Sequence, residues 1–127
     1  MNAVTSTVSH HVSTIPFVEV HDHRGRVGFN VGDYVYLREN DQYGEIEAIV
    51  EVLGSHFSKI RLFEGYETDS ECGIDYAEMN NKADYRFLPF SRIPAPLVVS
   101  FVGDFVHFIS SLRFNMDYIW MEEHIHL

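Results

Sequence analysis

Apolar and polar residues alternate most regularly along residues 43–53, where every second side chain belongs to the same face. One face carries Ile46, Ala48, Val50 and Val52, and the other carries Glu45, Glu47, Ile49 and Glu51. A two-residue period with one apolar face is typical of a half-buried antiparallel strand. Glu and Ala favour a helix, but the Val and Ile content and the bounding Gly44 and Gly54 favour a strand.

Shorter apolar stretches on both sides of this segment predict further strands, separated by glycine, proline or polar clusters. The predicted strands are residues 15–20, 34–37, 57–63, 85–88 and 97–109. We expect a loop at residues 21–28 and a long loop or short helix at 68–84, with one helical turn at 75–80. Residues 113–127 fit either a strand or a helix. The pattern therefore predicts a mainly β chain with little helix.

The phrase Val-Gly-Asp-aromatic-Val occurs twice, at residues 31–35 and 102–106. Glycine accommodates a bend before a strand, and aspartate can hydrogen-bond to the nearby backbone in the turn. Because the residues around the two copies do not match, we interpret them as two independent strand starts and not as a duplication.

The length of 127 residues, with 46% hydrophobic and 14% aromatic residues, indicates one folded domain. Residues 1–14 are rich in Ser, Thr and Val and are expected to form a flexible N-terminal lead-in. The single β domain is then expected to occupy residues 15–127.

The charge balance narrows the choice of partner. The chain has 19 Asp and Glu residues against 9 Lys and Arg residues, a formal net charge of −10. Such a chain repels nucleic-acid phosphates, so nucleic acid is not the expected partner, whereas a basic protein or peptide is its electrostatic complement. The same acidic balance is also explained by solubility alone.

Cysteine content and hydropathy bear on location. Cys72 is the single cysteine, which excludes an intramolecular disulfide and fits a reducing intracellular compartment. No apolar run approaches the roughly 20 residues of a membrane span, and residues 1–13 do not resemble a signal peptide. We therefore expect an intracellular protein without membrane association.

The sequence contains no complete catalytic or metal-binding motif. Cys72 lies in an acidic loop that disfavours a reactive thiolate, and neither a serine elbow nor a phosphate-binding loop is present. The pairs His21/His23 and His124/His126 have a spacing that suits Zn²⁺ or Ni²⁺, but closed metal sites need four rigidly held ligands. We expect no enzymatic activity and no cofactor.

A dense set of aromatic residues accompanied by glutamates is the strongest candidate for a binding surface. The aromatic members are Tyr34, Tyr36, Tyr43, Phe63 and Tyr66, and the glutamates are Glu45, Glu64 and Glu67. Aromatic faces backed by a carboxylate recognise ammonium groups through cation–π attraction. The alternative is that most of these rings belong to the core. At the C-terminal end, Trp120 in residues 114–121 is either an exposed anchor for a partner or part of a final strand.

Several segments together resemble the BAH (bromo-adjacent homology) domain, an SH3-like β core with extensions that recurs in chromatin proteins. Residues 31–37, 43–49 and 60–68 are similar to its successive strands, and residues 87–95 with 105–107 to the segment that closes its core. Leu62-Phe63 replaces the usual tryptophan, and Glu64-Gly65 replaces an Arg-Pro corner. Divergent modules of this kind occur in proteins associated with fungal transposable elements.

This resemblance implies an SH3-like β barrel with BAH-type extensions, a nuclear location, and non-enzymatic binding of a basic peptide such as a histone tail. It places Tyr43, Phe63 and Tyr66 near the ligand surface. With these rings, the expected partner-binding residues are Glu45, Glu64, Glu67 and Trp120. The alternatives are an acidic inhibitor or nucleic-acid mimic that occupies a basic groove, and a structural dimerisation unit, for which a homo-oligomer is the expected form.

Overall fold

The computed structural model describes residues 12–110, which form eleven strands and one short 3-10 helix. The strands are β1 Val12–Ile15, β2 Phe17–Asp22, β3 Gly25–Asn30, β4 Tyr34–Leu37, β5 Gln42–Val52, β6 Ser55–Phe63, β7 Glu67–Thr68, β8 Asp75–Glu78, β9 Lys82–Pro89, β10 Val99–Val102 and β11 Phe105–Phe108. The 3-10 helix is Phe90–Arg92. The prediction of a mainly β chain is confirmed.

The strands form three antiparallel sheets. In the first, β5 pairs along one side with β6, which pairs with β9, while the other side of β5 carries β4 near its start and β1 near its end. The second sheet has the order β10-β11-β8-β7, and the third is the β2–β3 hairpin. Within residues 12–110 these hydrogen-bonded sheets are open and do not close into a barrel.

Strand β5 confirms the predicted strand but not the predicted faces. The pairing with β6 shifts between Ile46 and Ala48, so that Glu47 is an extra residue in the ladder. Such a bulge reverses the alternation of faces beyond it. Ile46 and Ile49, which the two-residue period put on opposite faces, are therefore both completely buried.

Two other predicted segments are corrected. The predicted loop at residues 21–28 is instead the end of β2, a two-residue turn at 23–24 and the start of β3, with Asp22 opposite Gly25. Hydrogen bonds from the side chain and backbone of Arg24 lower the pKa of Asp22 to about 2 and fix this turn. Residues 12–14 belong to β1, paired with residues 50–52 of β5, so any N-terminal lead-in ends before Val12.

The second half of the chain contains more strand than was predicted. Residues 75–78, where a helical turn was expected, form β8 between β7 and β11. Residues 97–109, predicted as one strand, contain the β10–β11 hairpin, which turns at Gly103 with φ 59°. The predicted C-terminal element at residues 113–127 lies outside the described residues.

The buried side chains form two clusters, which β4 and β5 separate. Val35 and Ile46 belong to the first cluster, which lies between the five-stranded sheet and the β2–β3 hairpin and includes Phe29. Tyr34 and Tyr43 belong to the second cluster, with Phe63 and with residues of β8 and β11. Neighbouring side chains of a strand point to opposite faces, so β4 and β5 contribute to both cores. The second cluster positions the aromatic residues of the candidate site.

Candidate functional site

Three tyrosines meet where β4, β5 and the end of β6 come together. Tyr36 and Tyr43 are cross-strand partners in β4 and β5, and their ring centroids are 4.9 Å apart. Tyr66, just beyond β6, meets the ring of Tyr43 edge-on, with 5.0 Å between centroids and 87° between planes. Such tilted and edge-to-face contacts are the favoured geometries of aromatic pairs.

Asp41 joins two of these tyrosines at the β4–β5 turn, where it adopts the left-handed conformation with φ 52°. Its Oδ1 accepts hydrogen bonds from the hydroxyls of Tyr36, at 2.6 Å, and Tyr66, at 2.7 Å. These bonds stabilise the carboxylate and lower the pKa of Asp41. The bond to Asp41 raises the pKa of Tyr36 to about 12 and also raises the pKa of Tyr66.

Asp75 of β8 is the hydrogen-bond acceptor for the third tyrosine, Tyr43. The hydroxyl of Tyr43 donates to its Oδ2 at 2.6 Å, and the hydroxyl of Thr68 donates to its Oδ1 at 2.6 Å. Burial, and then the bond to Asp75, raise the pKa of Tyr43. All three tyrosines are therefore neutral hydrogen-bond donors near neutral pH, each held by an aspartate.

Two clefts adjoin Tyr66, and we call them the Tyr66 clefts. The first, of about 390 Å³, is lined by Asp41, Gln42, Tyr43, Phe63, Glu64, Gly65 and Tyr66. The second, of about 330 Å³, is lined by Gly65, Tyr66, Glu67, Tyr76, Glu78, Asn81 and Phe105. Four carboxylates line the two clefts together, and neither lining contains Lys, Arg or His. A cation that enters either cleft meets negative charge and an aromatic ring.

The structure brings most of the predicted partner-binding residues to these clefts. Tyr43, Phe63, Glu64 and Tyr66 line the first, and Glu67 lines the second, where it accepts a hydrogen bond from the hydroxyl of Tyr76 at 2.8 Å. Tyr43 and Phe63 are only 4% and 1% exposed. They therefore form the floor of the site, as the core interpretation expected, whereas Tyr66 is half-buried and borders both clefts.

Glu45 lies away from these clefts, where it binds a cation of the protein itself. The Nζ atom of Lys82 lies 2.5 Å from Oε1 of Glu45 and 5.1 Å from the centroid of the Phe63 ring. The side chain of Lys82 is only 12% exposed. The combination of carboxylate and ring expected to bind a ligand ammonium is thus formed internally by Glu45, Phe63 and Lys82. Glu45 therefore does not line the Tyr66 clefts, and Trp120 lies outside the described residues.

Other residues of the clefts were not identified from the sequence. Asp41 lies in a polar turn, and the sequence of this turn does not indicate the hydrogen bonds that Asp41 accepts from two tyrosines. Tyr76 and Glu78 reach the second cleft because β8 pairs with β7 and β11, in a segment where a helical turn was expected. Residues 75–78 do not alternate between polar and apolar side chains, so the two-residue period gave no signal for this strand.

Residues 12–110 contain no cluster of metal ligands and no helix that could span a membrane. No group of three or more His, Cys, Asp or Glu side chains in this part of the chain is arranged to hold a metal ion. In the predicted pair His21/His23, the Nε2 atom of His21 lies 2.8 Å from Oε1 of Glu19. The predicted pair His124/His126 lies outside the described residues. No helix within residues 12–110 is long and apolar enough to cross a membrane.

Comparisons with protein-family models, curated proteins and solved structures give no match to this chain.

Proposed function

We propose that this chain is a non-enzymatic interaction module that binds a basic peptide, such as a histone tail, in the Tyr66 clefts. One observation carries this proposal: two adjoining clefts share the half-buried ring of Tyr66 and are lined by Asp41, Glu64, Glu67 and Glu78 without a basic residue. A peptide with lysine or arginine side chains supplies the opposite charge.

The expected binding energy comes from the ring and from the carboxylates together. A cation over a tyrosine face contributes about 0.5–2 kcal/mol, more when the pair is desolvated. The net charge of −10 attracts a basic segment from a distance and increases its association rate. Because Glu64, Glu67 and Glu78 are exposed, they contribute more to orientation and encounter than to affinity.

The proposal extends to the fold family, an SH3-like barrel with BAH-type extensions. The segments that resemble this family at residues 31–37, 43–49 and 60–68 include β4 and parts of β5 and β6, which are antiparallel neighbours. The two outer strands β4 and β9 are not paired, yet both line one cleft, where Arg86 hydrogen-bonds to Asn40. This approach of the two outer strands supports a barrel-like arrangement of the first sheet.

The test is a titration of the ¹⁵N-labelled protein with histone-tail peptides, unmodified and lysine-methylated, followed by heteronuclear NMR. We expect the largest shifts at the amides of Glu64, Gly65, Tyr66 and Glu67. A peptide in which Gln replaces every Lys and Arg is the control and should cause no shift. If no peptide moves these resonances, the proposal fails.

Ionic strength separates this function from the alternative of an acidic inhibitor or nucleic-acid mimic. Aromatic capture of a peptide should weaken only modestly between low and high salt, because much of its energy does not depend on long-range charge. Binding of a nucleic-acid mimic to a basic groove should collapse over the same range. A collapse would therefore favour the mimic over the peptide reader.

A further inference from the structure

A third cleft lies where the outer strands β4 and β9 of the first sheet approach each other. It has a volume of about 280 Å³ and is lined by the β4–β5 turn, by β9 and by the segment around the 3-10 helix. It shares no lining residue with the Tyr66 clefts, so what it binds is a separate question from the proposed function.

Basic residues are concentrated in this cleft. Arg38, Arg86 and Arg92 all line it, out of 9 Lys and Arg residues in the whole chain. Glu39 is its one acidic lining residue, so the cleft is locally positive in a protein with a net charge of −10. We call it the arginine cleft. Its charge is opposite to that of the Tyr66 clefts.

The guanidinium groups retain donors for a ligand. Arg92 pairs with Glu39, Nη2 to Oε2, at 2.7 Å, but the two side chains are 50% and 71% exposed, so water competes for this pair. Arg86 donates to the Oδ1 atom of Asn40 through Nη1 alone. Arg38 is exposed, and no hydrogen bond or ion pair holds its side chain within the described residues.

The base of the cleft is apolar. Leu37 and Leu88 are 4% and 6% exposed and belong to the first core cluster, and Pro94 borders the cleft from the segment after the 3-10 helix. An anion alone would use the guanidinium groups and leave this apolar surface uncovered. A ligand that fits the whole cleft carries an apolar group beside its negative charge.

We infer that the arginine cleft binds a short peptide segment in which a carboxylate or phosphate side chain neighbours an apolar residue. The planar guanidinium donates two parallel hydrogen bonds to either kind of anion, which a point charge such as lysine does not match. A long polyanion such as nucleic acid would be repelled by the rest of the chain. A short segment with one or two charges places its anion locally against Arg38, Arg86 and Arg92.

The test uses four blocked tripeptides: Leu-Glu-Leu, Leu-phosphoserine-Leu, Leu-Gln-Leu and Gly-Glu-Gly. Each is titrated into the ¹⁵N-labelled protein. We expect the two anionic leucine peptides to shift the amides of Arg38, Asn40 and Arg86, and the phosphoserine and glutamate arms show which anion is preferred. The Gln and Gly peptides should each bind about tenfold more weakly, since one lacks the charge and the other the apolar groups. Equal shifts from all four peptides would overturn the inference.

Variants locate the binding on the protein. Arg38→Gln should weaken the better anionic peptide about tenfold. Arg26→Gln, which removes the same charge from an arginine that is 76% exposed on β3, should leave its affinity unchanged. Equal effects of the two variants would contradict the inference. The amides of Gly65 and Tyr66 should stay unshifted, so the outcome is independent of peptide binding in the Tyr66 clefts.

Discussion

The ring of Tyr43 in β5 lies parallel to the ring of Phe108 in β11, with 3.8 Å between centroids and 6° between planes. Tyr43 is 4% exposed and Phe108 is completely buried. This stack joins the five-stranded sheet to the four-stranded sheet. It therefore fixes the position of β7 and β8, which supply Glu67, Tyr76 and Glu78 to the second Tyr66 cleft.

Loss of the Phe108 ring should weaken the packing between the two sheets and so destabilise the protein. We expect Phe108→Ala to lower the free energy of unfolding by about 3–5 kcal/mol, because the ring leaves a cavity in the second core cluster. Urea denaturation followed by circular dichroism measures this change. Phe87→Ala is the control: this ring is 64% exposed, and its loss should cost less than about 1 kcal/mol. Similar losses for both variants would contradict this role of the stack.

Gly44, beside Tyr43 in β5, is required by close packing against β6. A Cβ atom at this position would lie 2.5 Å from Cγ2 of Ile60 and 3.0 Å from the backbone oxygen of Arg61. Gly44→Ala should therefore destabilise the fold by about 1–3 kcal/mol in thermal or urea unfolding.

Gly65 is the matched control for this substitution. A Cβ atom there meets no heavy atom within 4 Å, so Gly65→Ala should change stability by less than about 0.5 kcal/mol. If both glycine variants unfold together with the wild type, the contact between β5 and β6 is not as close as described.

The β5–β6 turn contains a strained residue. Leu53 has φ 50° and Gly54 has φ 81°, and the side chain of Leu53 is largely exposed. Two positive φ values in a two-residue hairpin turn favour Asn-Gly. Leu53→Asn should therefore raise the free energy of unfolding by about 1 kcal/mol. Leu53→Ala removes the same exposed apolar surface but keeps the strain, so it should give no such gain; an equal gain would refute the strain argument.

The tyrosine–aspartate bonds predict an alkaline loss of stability. An unfolded tyrosine has a pKa near 10, whereas hydrogen bonding to Asp41 raises the pKa of Tyr36 to about 12 and burial raises the pKa of Tyr34 to about 12. Between these values the unfolded chain loses protons first, so the free energy of unfolding should fall as pH rises. Below pH 10 this contribution is complete.

Asp41→Asn tests the cause of the shift at Tyr36. Asparagine also tolerates the left-handed conformation at this position, so the turn should be retained. Without the carboxylate, the pKa values of Tyr36 and Tyr66 should move down towards 10, and tyrosinate absorbance should appear at lower pH. Superimposable absorbance titrations of the variant and the wild type would contradict the assignment.

The sequence pattern was sufficient to predict three strands of the first sheet that pair with their neighbours along the chain. Strands β4, β5 and β6 follow one another with short turns, so alternation and glycine positions were sufficient to find them. The bulge at Glu47 was not predictable, because it depends on how β5 pairs with β6. Strand β8 was missed because its four residues are stabilised by Phe105–Phe108, about 30 residues further along the chain.

In the candidate site, too, contacts between consecutive strands of the first sheet could be predicted from the sequence, whereas contacts between distant segments could not. Tyr43, Phe63 and Tyr66 were grouped correctly because β5 and β6 are consecutive strands that bring these rings together. Lys82 was missed because it reaches Glu45 only through the pairing of β9 with β6, where it lies opposite Phe63. The arginine cleft was likewise not predicted, since Arg38 and Arg86, which are 48 residues apart in the sequence, line one cleft only in the folded chain.

The central claim is that the Tyr66 clefts bind a basic peptide through the Tyr66 ring and the surrounding carboxylates, and calorimetric titration of a double variant tests it most directly. Glu64 and Glu78 are exposed, one in each cleft, so Glu64→Gln with Glu78→Gln should preserve the fold. The control, Glu19→Gln with Glu51→Gln, removes the same charge outside the clefts. We predict that a lysine-rich histone-tail peptide binds the cleft variant about threefold more weakly than the control. Equal affinity for the two variants would contradict the account.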